Sequence, residues 1–324
     1  MPDITLVEAV TTALAYELEH DENVLVFGED VGKNGGVFRA TAGLQARFGE
    51  RRVFDSPLAE SMIAGLAIGM SLQGLKPVAE FQFMGFIYPA MNQIVTHAAR
   101  FRNRTRGRLH CPLVFRAPFG GGIRAPEHHS ESTEALFAHI PGLQVLIPSS
   151  PRRAYGLLLA AMRSPDPVIF LEPKRIYRLV KQPVVDDGVA LPLGKCFTLQ
   201  TGTDLTLISW GASVHETMQA AKQLTEEGLS VEVIDVASIK PLDIETILRS
   251  VEKTGRCVIV HEGAKTGGLG AEISAQIMEN SMDALLGPVQ RVTGYDIVMP
   301  YFQLEKYYIP SVARIKQSVI SIME

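Results

Sequence analysis

The sequence predicts an α/β protein with two domains, each a mainly parallel sheet covered by helices. The chain has 324 residues, 46% of them hydrophobic, which is enough to form two cores. Short apolar runs typical of buried strands alternate with segments of helical periodicity. Residues 172–193, rich in charge and proline, interrupt this alternation once. We therefore expect a first domain at 1–180, a linker at 181–198 and a second domain at 199–324.

The first domain opens with a predicted helix over residues 5–20, where apolar residues recur at helical spacing. A buried strand at 23–28 follows, and strands alternating with helices favour a parallel sheet. The remaining predicted elements are a helix starting near residue 57, a strand at 77–83, a helix reaching residue 100, strands at 112–116 and 145–148, a helix at 152–163 and a strand at 168–171.

The second domain repeats the alternation. Its predicted strands are at 204–210, 231–236, 257–261 and 289–293, and its predicted helices at 214–227, 243–253, 271–280 and 312–323. Ligands of such sheets bind beyond the carboxyl ends of the strands. We expect Glu29, Phe86 and the glycine-rich loop that contains His129 to lie at such ends.

The segment at residues 55–61 is the first candidate for a functional site. Its Asp-Ser-Pro opening has two good capping residues and a proline suited to the first helical position, so a helix should begin there with Glu60 in its first turn. A carboxylate at that position also interacts favourably with the helix dipole, which leaves a purely structural interpretation of Glu60 open. Gly65 and Gly69 lie four residues apart in this helix and predict a closely packed neighbouring helix.

Two adjacent histidines, His128 and His129, follow a run of three glycines. Neighbouring side chains in extended chain point apart, so the pair is a poor metal site. One imidazole can still act alone as an acid or base, although a histidine in such a loop is often only solvated. The sequence contains no motif of a serine hydrolase, a P-loop nucleotidase or a zinc protease.

Net charge and cysteine content restrict the partners and the cellular compartment that we expect for this protein. The net charge of −4 gives no basic field for nucleic acid or an anionic membrane. The three cysteines are far apart and show no paired spacing, which favours a reducing compartment and argues against structural zinc. The amino terminus shows no signal pattern, so we expect a cytoplasmic protein.

Several segments, in order along nearly the whole chain, carry a resemblance to one family. The segments are VFGEDV at 26–31, DSPLAE at 55–60, PVAEFQF at 77–83, APFGGG at 117–122, HSES at 129–132, IPSSP at 147–151 and PVIFLE at 167–172. Together they resemble the β subunit of the thiamine-diphosphate-dependent E1 component of 2-oxo acid dehydrogenase complexes.

The resemblance implies a fold and a set of cofactor contacts. It implies a pyrimidine-binding α/β domain followed by a transketolase C-terminal-like α/β domain, in an α2β2 assembly. Glu60 matches the glutamate that hydrogen-bonds ring nitrogen N1′ of the cofactor's aminopyrimidine, where a fixed carboxylate can share a proton with the ring. Phe86 matches a residue that packs on the ring, Leu58 one that contributes backbone to it, and Glu29 a member of the nearby glutamate network.

The resemblance also implies a role for His129 and a cation site. His129 matches a histidine that serves acyl transfer to the lipoyl group of the E2 partner. In some members, backbone carbonyls of the β subunit hold potassium, and the matching residues here are Leu113, Ala161, Met162, Ser164 and Asp166. Ser164 stands where an acid is common in those members, but a carbonyl ligand survives that change.

The sequence lacks the Gly-Asp-Gly segment with which thiamine enzymes hold magnesium and diphosphate. An α subunit is therefore expected to bind Mg2+ and the diphosphate, with a second β subunit and lipoyl-bearing E2 as further partners. Pyruvate is the first candidate substrate and a branched-chain 2-oxo acid is close behind. The alternatives are a transketolase-type or deoxyxylulose-type carbon transferase subunit, and a non-catalytic α/β assembly subunit.

Overall fold

The structure, a computed structural model, describes residues 3–324 and divides into two compact units. Among the described residues, the first unit contains 3–119 and 136–193, and the second contains 120–135 and 194–324. The α/β fold expected from the sequence is confirmed in both units. The domain boundaries at 180 and 199 remain a prediction, to which the structure adds that residues 120–135 group with the second unit.

The first unit is built on a parallel sheet. Its strands are β1 (Asp3–Thr5), β2 (Val24–Gly28), β3 (Val53–Asp55), β4 (Lys76–Glu80), β5 (Val114–Phe119), β6 (Gln144–Leu146), β7 (Val168–Pro173) and β8 (Lys181–Pro183). Within this unit the sheet order is β6-β7-β5-β4-β2-β3, with every neighbouring pair parallel. Strands β2, β5 and β7 are buried along their whole length, as expected when helices cover both faces. Strands β1 and β8 form a separate antiparallel pair.

Helices of the first unit surround this sheet. They are α1 (Leu6–His20), α2 (Leu44–Phe48), α3 (Glu60–Leu72), α4 (Phe101–Arg104), α5 (Glu134–Ala138), which begins in the second unit, and α6 (Pro151–Arg163). Helix α1 has a capping box, in which the Thr5 side chain and the Glu8 side chain each accept from the other residue's backbone N–H.

The start of α3 differs from the prediction. The helix begins at Glu60 rather than at Pro57, and Ala59 is its N-cap, with no side-chain capping bond. Asp55 ends β3 instead, and its Oδ1 accepts a hydrogen bond of 2.6 Å from the backbone N–H of Gly32. The Asp55 carboxylate, which the sequence predicts as a helix cap, therefore holds the loop after β2 that contains Gly32.

The predicted helix up to residue 100 is wrong as a continuous element. The chain forms short 3₁₀ turns at Met84–Phe86 and Tyr88–Ala90, followed by a π-helical turn at Gln93–His97. Pro89 has no N–H to donate within a regular helix, and π turns of this kind occur frequently at functional sites.

The second unit has a five-stranded sheet in the order β14-β13-β10-β11-β9. The strands of this unit are β9 (Phe197–Gln200), β10 (Leu205–Ser209), β11 (Val231–Asp235), β12 (Ser238–Lys240), β13 (Cys257–Val260) and β14 (Gln290–Val292), of which β12 is not part of the five-stranded sheet. All neighbours in this sheet are parallel except β9, which runs antiparallel to β11. The helices are α7 (Ser213–Glu226), α8 (Ile244–Thr254), α9 (Leu269–Ser281), α10 (Glu305–Tyr308) and α11 (Val312–Met323).

Helices α7 and α11 pack on this second sheet through a cluster of buried aliphatic side chains. Over residues 3–324, none of the helices combines the length and the apolar character needed to span a bilayer.

Candidate functional site

The carboxyl end of β2 is a topological switch point of the first sheet. Strand β2 lies between β3 and β4, so the chain leaves it towards one side and returns on the other. Such a reversal opens a crevice beyond the strand ends. Gly28 ends β2 with φ of +155°, and a Cβ there would lie 2.5 Å from the carbonyl oxygen of Glu80. Glycine therefore allows the two strand ends to approach closely beneath this crevice.

Glu29 follows Gly28 directly and is buried, with 6% of its surface exposed. Its Oε1 atom has no hydrogen-bond partner among the described residues. Burial raises the pKa of the Glu29 carboxyl to about 6, with further contributions from the charges of Glu60 and Asp30. The electrostatic coupling brings Glu29 and Glu60, two of the predicted site residues, into one site.

Glu60 is the first residue of α3 and is half-buried. Its position in the first turn is favourable for a carboxylate because the helix dipole is positive there. The neighbouring Ser61 hydroxyl donates to the carbonyl oxygen of Pro89 at 3.1 Å, which ties the helix start to the 3₁₀ turns after β4. The Glu60 carboxylate is thus attached to a rigid element at the switch point.

Phe86 and Leu58 lie on the segments that flank this point. The half-buried Phe86 ring packs edge-on against Phe83 at 5.8 Å, and Phe83 in turn contacts Phe38 at 5.5 Å. Leu58 is 79% exposed, immediately before α3. The Glu60 carboxylate, the Phe86 ring and the exposed backbone at Leu58 therefore lie on elements that meet at the carboxyl end of the first sheet.

The outer face of α3 is apolar and open. Met62 and Leu66 are exposed large hydrophobic residues. A Cβ on Gly69 would meet nothing within 4 Å, and one on Gly65 would meet only the Gln93 side chain, at 3.9 Å. Within residues 3–324, the helix predicted to pack closely against these glycines is not found.

A buried cluster of charged residues lies next to the switch point and was not predicted. Arg116 on β5 is fully buried; its Nε and Nη2 donate to the two oxygens of Glu172 at 2.6 and 2.9 Å, and its Nη1 donates to Glu80. The Tyr177 hydroxyl also donates to Glu172. Burial raises the pKa of the Glu80 carboxyl, although Arg116 opposes this. The available signal was the presence of Glu80, Arg116 and Glu172 in three mainly apolar strands, with one positive charge against two negative ones.

His129 lies in the second unit. It ends a 3₁₀ turn at Glu127–His129, where its backbone N–H donates to the carbonyl oxygen of Pro126 at 3.0 Å. The rings of His128 and His129 lie 4.4 Å apart, so the expectation that these neighbours point apart is wrong for this turn. Across the described part of the chain, no three histidine, cysteine, aspartate or glutamate side chains are arranged to hold a metal ion.

The residues that match a potassium site lie around the turn between α6 and β7. They are Leu113, Ala161, Met162, Ser164 and Asp166. The carbonyl oxygens of Leu113 and Ala161 accept backbone N–H bonds at 3.0 and 3.2 Å, and that of Asp166 accepts the Ser164 hydroxyl at 3.0 Å. A carbonyl has a second lone pair, so each retains one acceptor direction for a cation.

Comparison with known proteins places this architecture in a class. Residues 3–180 match the family model "Transketolase, pyrimidine binding domain", and residues 194–315 match "Transketolase, C-terminal domain". A solved structure described as "Split gene transketolase, inactive beta4 tetramer" superimposes with a TM-score of 0.82 at 25% identity, covering 99% of both chains. The chain is thus a two-domain protein of the transketolase type.

Curated relatives identify the branch of that class. The chain is 52% identical over 315 residues to the pyruvate dehydrogenase E1 component subunit β of Acholeplasma laidlawii, covering 97% of this chain and 96% of the relative. It is 48% identical over 324 residues to the corresponding subunit of Bacillus subtilis, covering 100% of both. The chain belongs to the family of thiamine-diphosphate-dependent E1 β subunits of 2-oxo acid dehydrogenases, and the resemblance noted in the sequence is confirmed.

Proposed function

We propose that this chain is the β subunit of an α2β2 E1 that oxidatively decarboxylates pyruvate and passes the acyl group to lipoyl-E2. The observation that carries the proposal is the full-length similarity to pyruvate dehydrogenase E1 β subunits at 48–52% identity. A branched-chain 2-oxo acid is the second candidate substrate. We expect the enzyme to act in the cytoplasm, in keeping with its three free cysteines.

The residues at the switch point fit the aminopyrimidine ring of thiamine diphosphate. The unpartnered buried oxygen of Glu29, the accessible carboxylate of Glu60 and the half-buried ring of Phe86 suit an aromatic heterocycle with basic nitrogens. Leu58 would offer backbone atoms to the same ring. When bound, thiamine diphosphate supplies the nucleophilic carbon and accepts the electron pair released as carbon dioxide leaves.

Glu60 would share a proton with a ring nitrogen and so act as the acid–base residue of this half-site. Its position on α3 fixes the carboxylate, and Glu29 would take part in the same proton exchange because its pKa of about 6 lies close to neutrality. The phenyl ring of Phe86 would pack on the heterocycle and exclude water from that face.

An α subunit would complete the site and bind Mg2+ with the diphosphate. Magnesium needs oxygen ligands, and the Gly-Asp-Gly segment that would supply them does not occur in this sequence. The open face of α3 is a suitable contact for a partner helix, since Gly65 and Gly69 allow close backbone approach. A second β subunit would bring the assembly to four chains.

His129 would serve the transfer half-reaction. In that step the electron pair released by decarboxylation reduces the lipoyl disulfide; one sulfur takes the acyl group and the other takes a proton. The imidazole of His129 can deliver that proton because histidine exchanges protons near neutral pH.

We also propose that potassium binds the five carbonyls around the α6–β7 turn. The second lone pairs of Leu113, Ala161 and Asp166 support this site. A ligand that binds only the folded state stabilises it by mass action. The melting temperature of the assembled E1 should therefore be higher by a few degrees in potassium chloride than in sodium chloride at equal ionic strength. Equal melting temperatures would count against the site.

The substrate is decided by assaying the chain with its α partner, thiamine diphosphate and Mg2+. We expect 2-oxo acid-dependent reduction of an artificial electron acceptor, with kcat/KM for pyruvate above that for 3-methyl-2-oxobutanoate. A pocket discriminates by about 10–200-fold for each methylene gained or lost, so the difference should be large. The reverse preference would assign the branched-chain substrate. Ketol transfer between sugar phosphates, without 2-oxo acid decarboxylation, would instead assign the carbon-transferase alternative.

A further inference from the structure

The glycine-rich loop that contains His129 is held by two glutamates from distant parts of the second unit. The backbone N–H of Gly122 donates to Glu305 Oε1 at 2.7 Å, and that of Arg124 donates to Glu305 Oε2 at 3.1 Å. The backbone N–H of Gly121 donates to Glu262 Oε1. Two carboxylates thus accept from three nearly consecutive peptide groups.

Both carboxylates are buried, with 5% of Glu305 and 6% of Glu262 exposed. A buried carboxylate is costly unless its oxygens accept hydrogen bonds, and bonds from N–H groups to a charged oxygen are roughly twice as strong as neutral ones. The loop amides and the two glutamates therefore satisfy one another. These hydrogen bonds fix the loop backbone more firmly than hydrogen bonds to water would.

Glycine at residue 120 makes the approach of Glu262 possible. Gly120 has φ of +78°, and a Cβ at that position would lie 2.7 Å from Glu262 Oε1. Glu262 lies just beyond the carboxyl end of β13, beside β10, where the second sheet has its own switch point. Gly120 and the Glu262 carboxylate together hold the loop at the carboxyl end of the strands of the second sheet.

The far end of the loop has a separate attachment. Trp210 Nε1 donates to Glu134 Oε1 at 3.3 Å, and the indole stacks on His261 with ring centroids 4.9 Å apart. Glu134 is 2% exposed. The segment between residues 120 and 134 is therefore fixed at both ends, with the turn that carries His129 between them.

We propose that Glu305 and Glu262 are positioning residues for acyl transfer, which hold the 120–135 loop so that the His129 imidazole is correctly placed. The inference rests on the proposed role of His129 in the transfer half-reaction. Residues 120–126 of the loop include three glycines and one proline. The conformation of the loop is set by hydrogen bonds to residues more than 130 positions later in the chain. Without those bonds the histidine would sample many positions.

The test is Glu305→Gln in the complete E1 with its α subunit, thiamine diphosphate and Mg2+. A glutamine offers one oxygen, and its amide nitrogen would face the N–H of Gly122 or Arg124. Acyl transfer to a free lipoyl domain, divided by 2-oxo acid-dependent dye reduction, should fall about tenfold, a change within the range of a misplaced acid–base group. Deuterium uptake at the Gly122 and Arg124 amides should rise in the same variant.

The matched control is Glu226→Gln, which removes one carboxylate from the exposed end of α7 in the same unit. This substitution should change neither the ratio of acyl transfer to dye reduction nor deuterium uptake at the Gly122 and Arg124 amides. Glu262→Gln serves as the second variant if Glu305→Gln does not assemble, with the same two readouts at Gly121. An unchanged exchange pattern, or faster exchange with an unchanged ratio, overturns the positioning role.

His129→Asn in the same assay separates this inference from the proposed function. A ratio lowered about 10²-fold supports His129 as the acid. With that result, an unaffected Glu305→Gln enzyme would overturn the positioning role alone. If His129→Asn has the wild-type ratio of acyl transfer to dye reduction, the proposed role of His129 is overturned. The positioning role of Glu305 and Glu262 is then overturned as well.

Discussion

Replacing Glu60 by glutamine is expected to lower 2-oxo acid decarboxylation by about 10²–10⁴-fold, the usual contribution of a positioned acid–base group. Glutamine keeps the size and hydrogen-bonding reach of the side chain but cannot exchange a proton. The fold should survive, because the carboxylate lies half-buried at a helix start and its charge is worth only about 0.3–1 kcal/mol there. Steady-state dye reduction by the assembled enzyme measures the effect.

The control is Glu22→Gln, an exposed residue of the same unit, which should retain normal activity. More than half of the wild-type rate in Glu60→Gln would contradict the catalytic role and restore the interpretation of Glu60 as a helix-end acid.

The same variant gives a second readout that does not depend on activity. Burial is the main cause of the raised pKa of Glu29, and the Glu60 charge is the next. Removing that charge should lower the pKa of Glu29 from about 6 towards its usual range. The carboxyl ¹³C chemical shift of Glu29, titrated in the isolated chain, measures this change. An unchanged pKa would show that the two carboxylates are not coupled.

Arg116→Met is expected to destabilise the first unit by about 3–5 kcal/mol, the typical cost of removing one partner from a buried ion pair. Methionine fills part of the arginine volume but leaves the carboxylates of Glu80 and Glu172 buried without a cation. Native-state hydrogen exchange of the β5 amides in urea measures the free energy of unfolding of this region.

The loss of stability in Arg116→Met should depend on pH. Burial and the charge of Glu172 raise the pKa of the Glu80 carboxyl in the folded state, and removal of Arg116 takes away the charge that opposes this increase. A carboxyl whose pKa is raised on folding stabilises the protein less as pH increases through that range. The deficit in unfolding free energy should therefore be larger at pH 8 than at pH 5.

Arg47→Met is the matched control for this experiment. It makes the same substitution in the ion pair with Glu19, where both side chains are more than half exposed. That pair should contribute only about 0–1 kcal/mol. Equal stability of the two variants at pH 8 would contradict the importance of the buried cluster.

The local pattern of the sequence was sufficient for much of the fold. The helix predicted at 5–20 is observed at Leu6–His20, and the strand predicted at 257–261 is observed at Cys257–Val260. Such elements are readable because helical periodicity and short apolar runs are properties of adjacent residues. The helix predicted up to residue 100 failed because Pro89 and a π turn interrupt a segment whose apolar spacing is helical.

The sequence by itself determined the family, the two-domain α/β class and the candidate Glu60, through motifs that can be read along the chain. Only the tertiary structure decided which partners the polar groups take. Asp55 binds the loop at Gly32 instead of capping a helix, and Glu305 accepts from Gly122, 183 residues earlier. The physical reason is that a carboxylate can satisfy its oxygens with any nearby N–H, and which N–H lies nearby depends on how the strand ends meet.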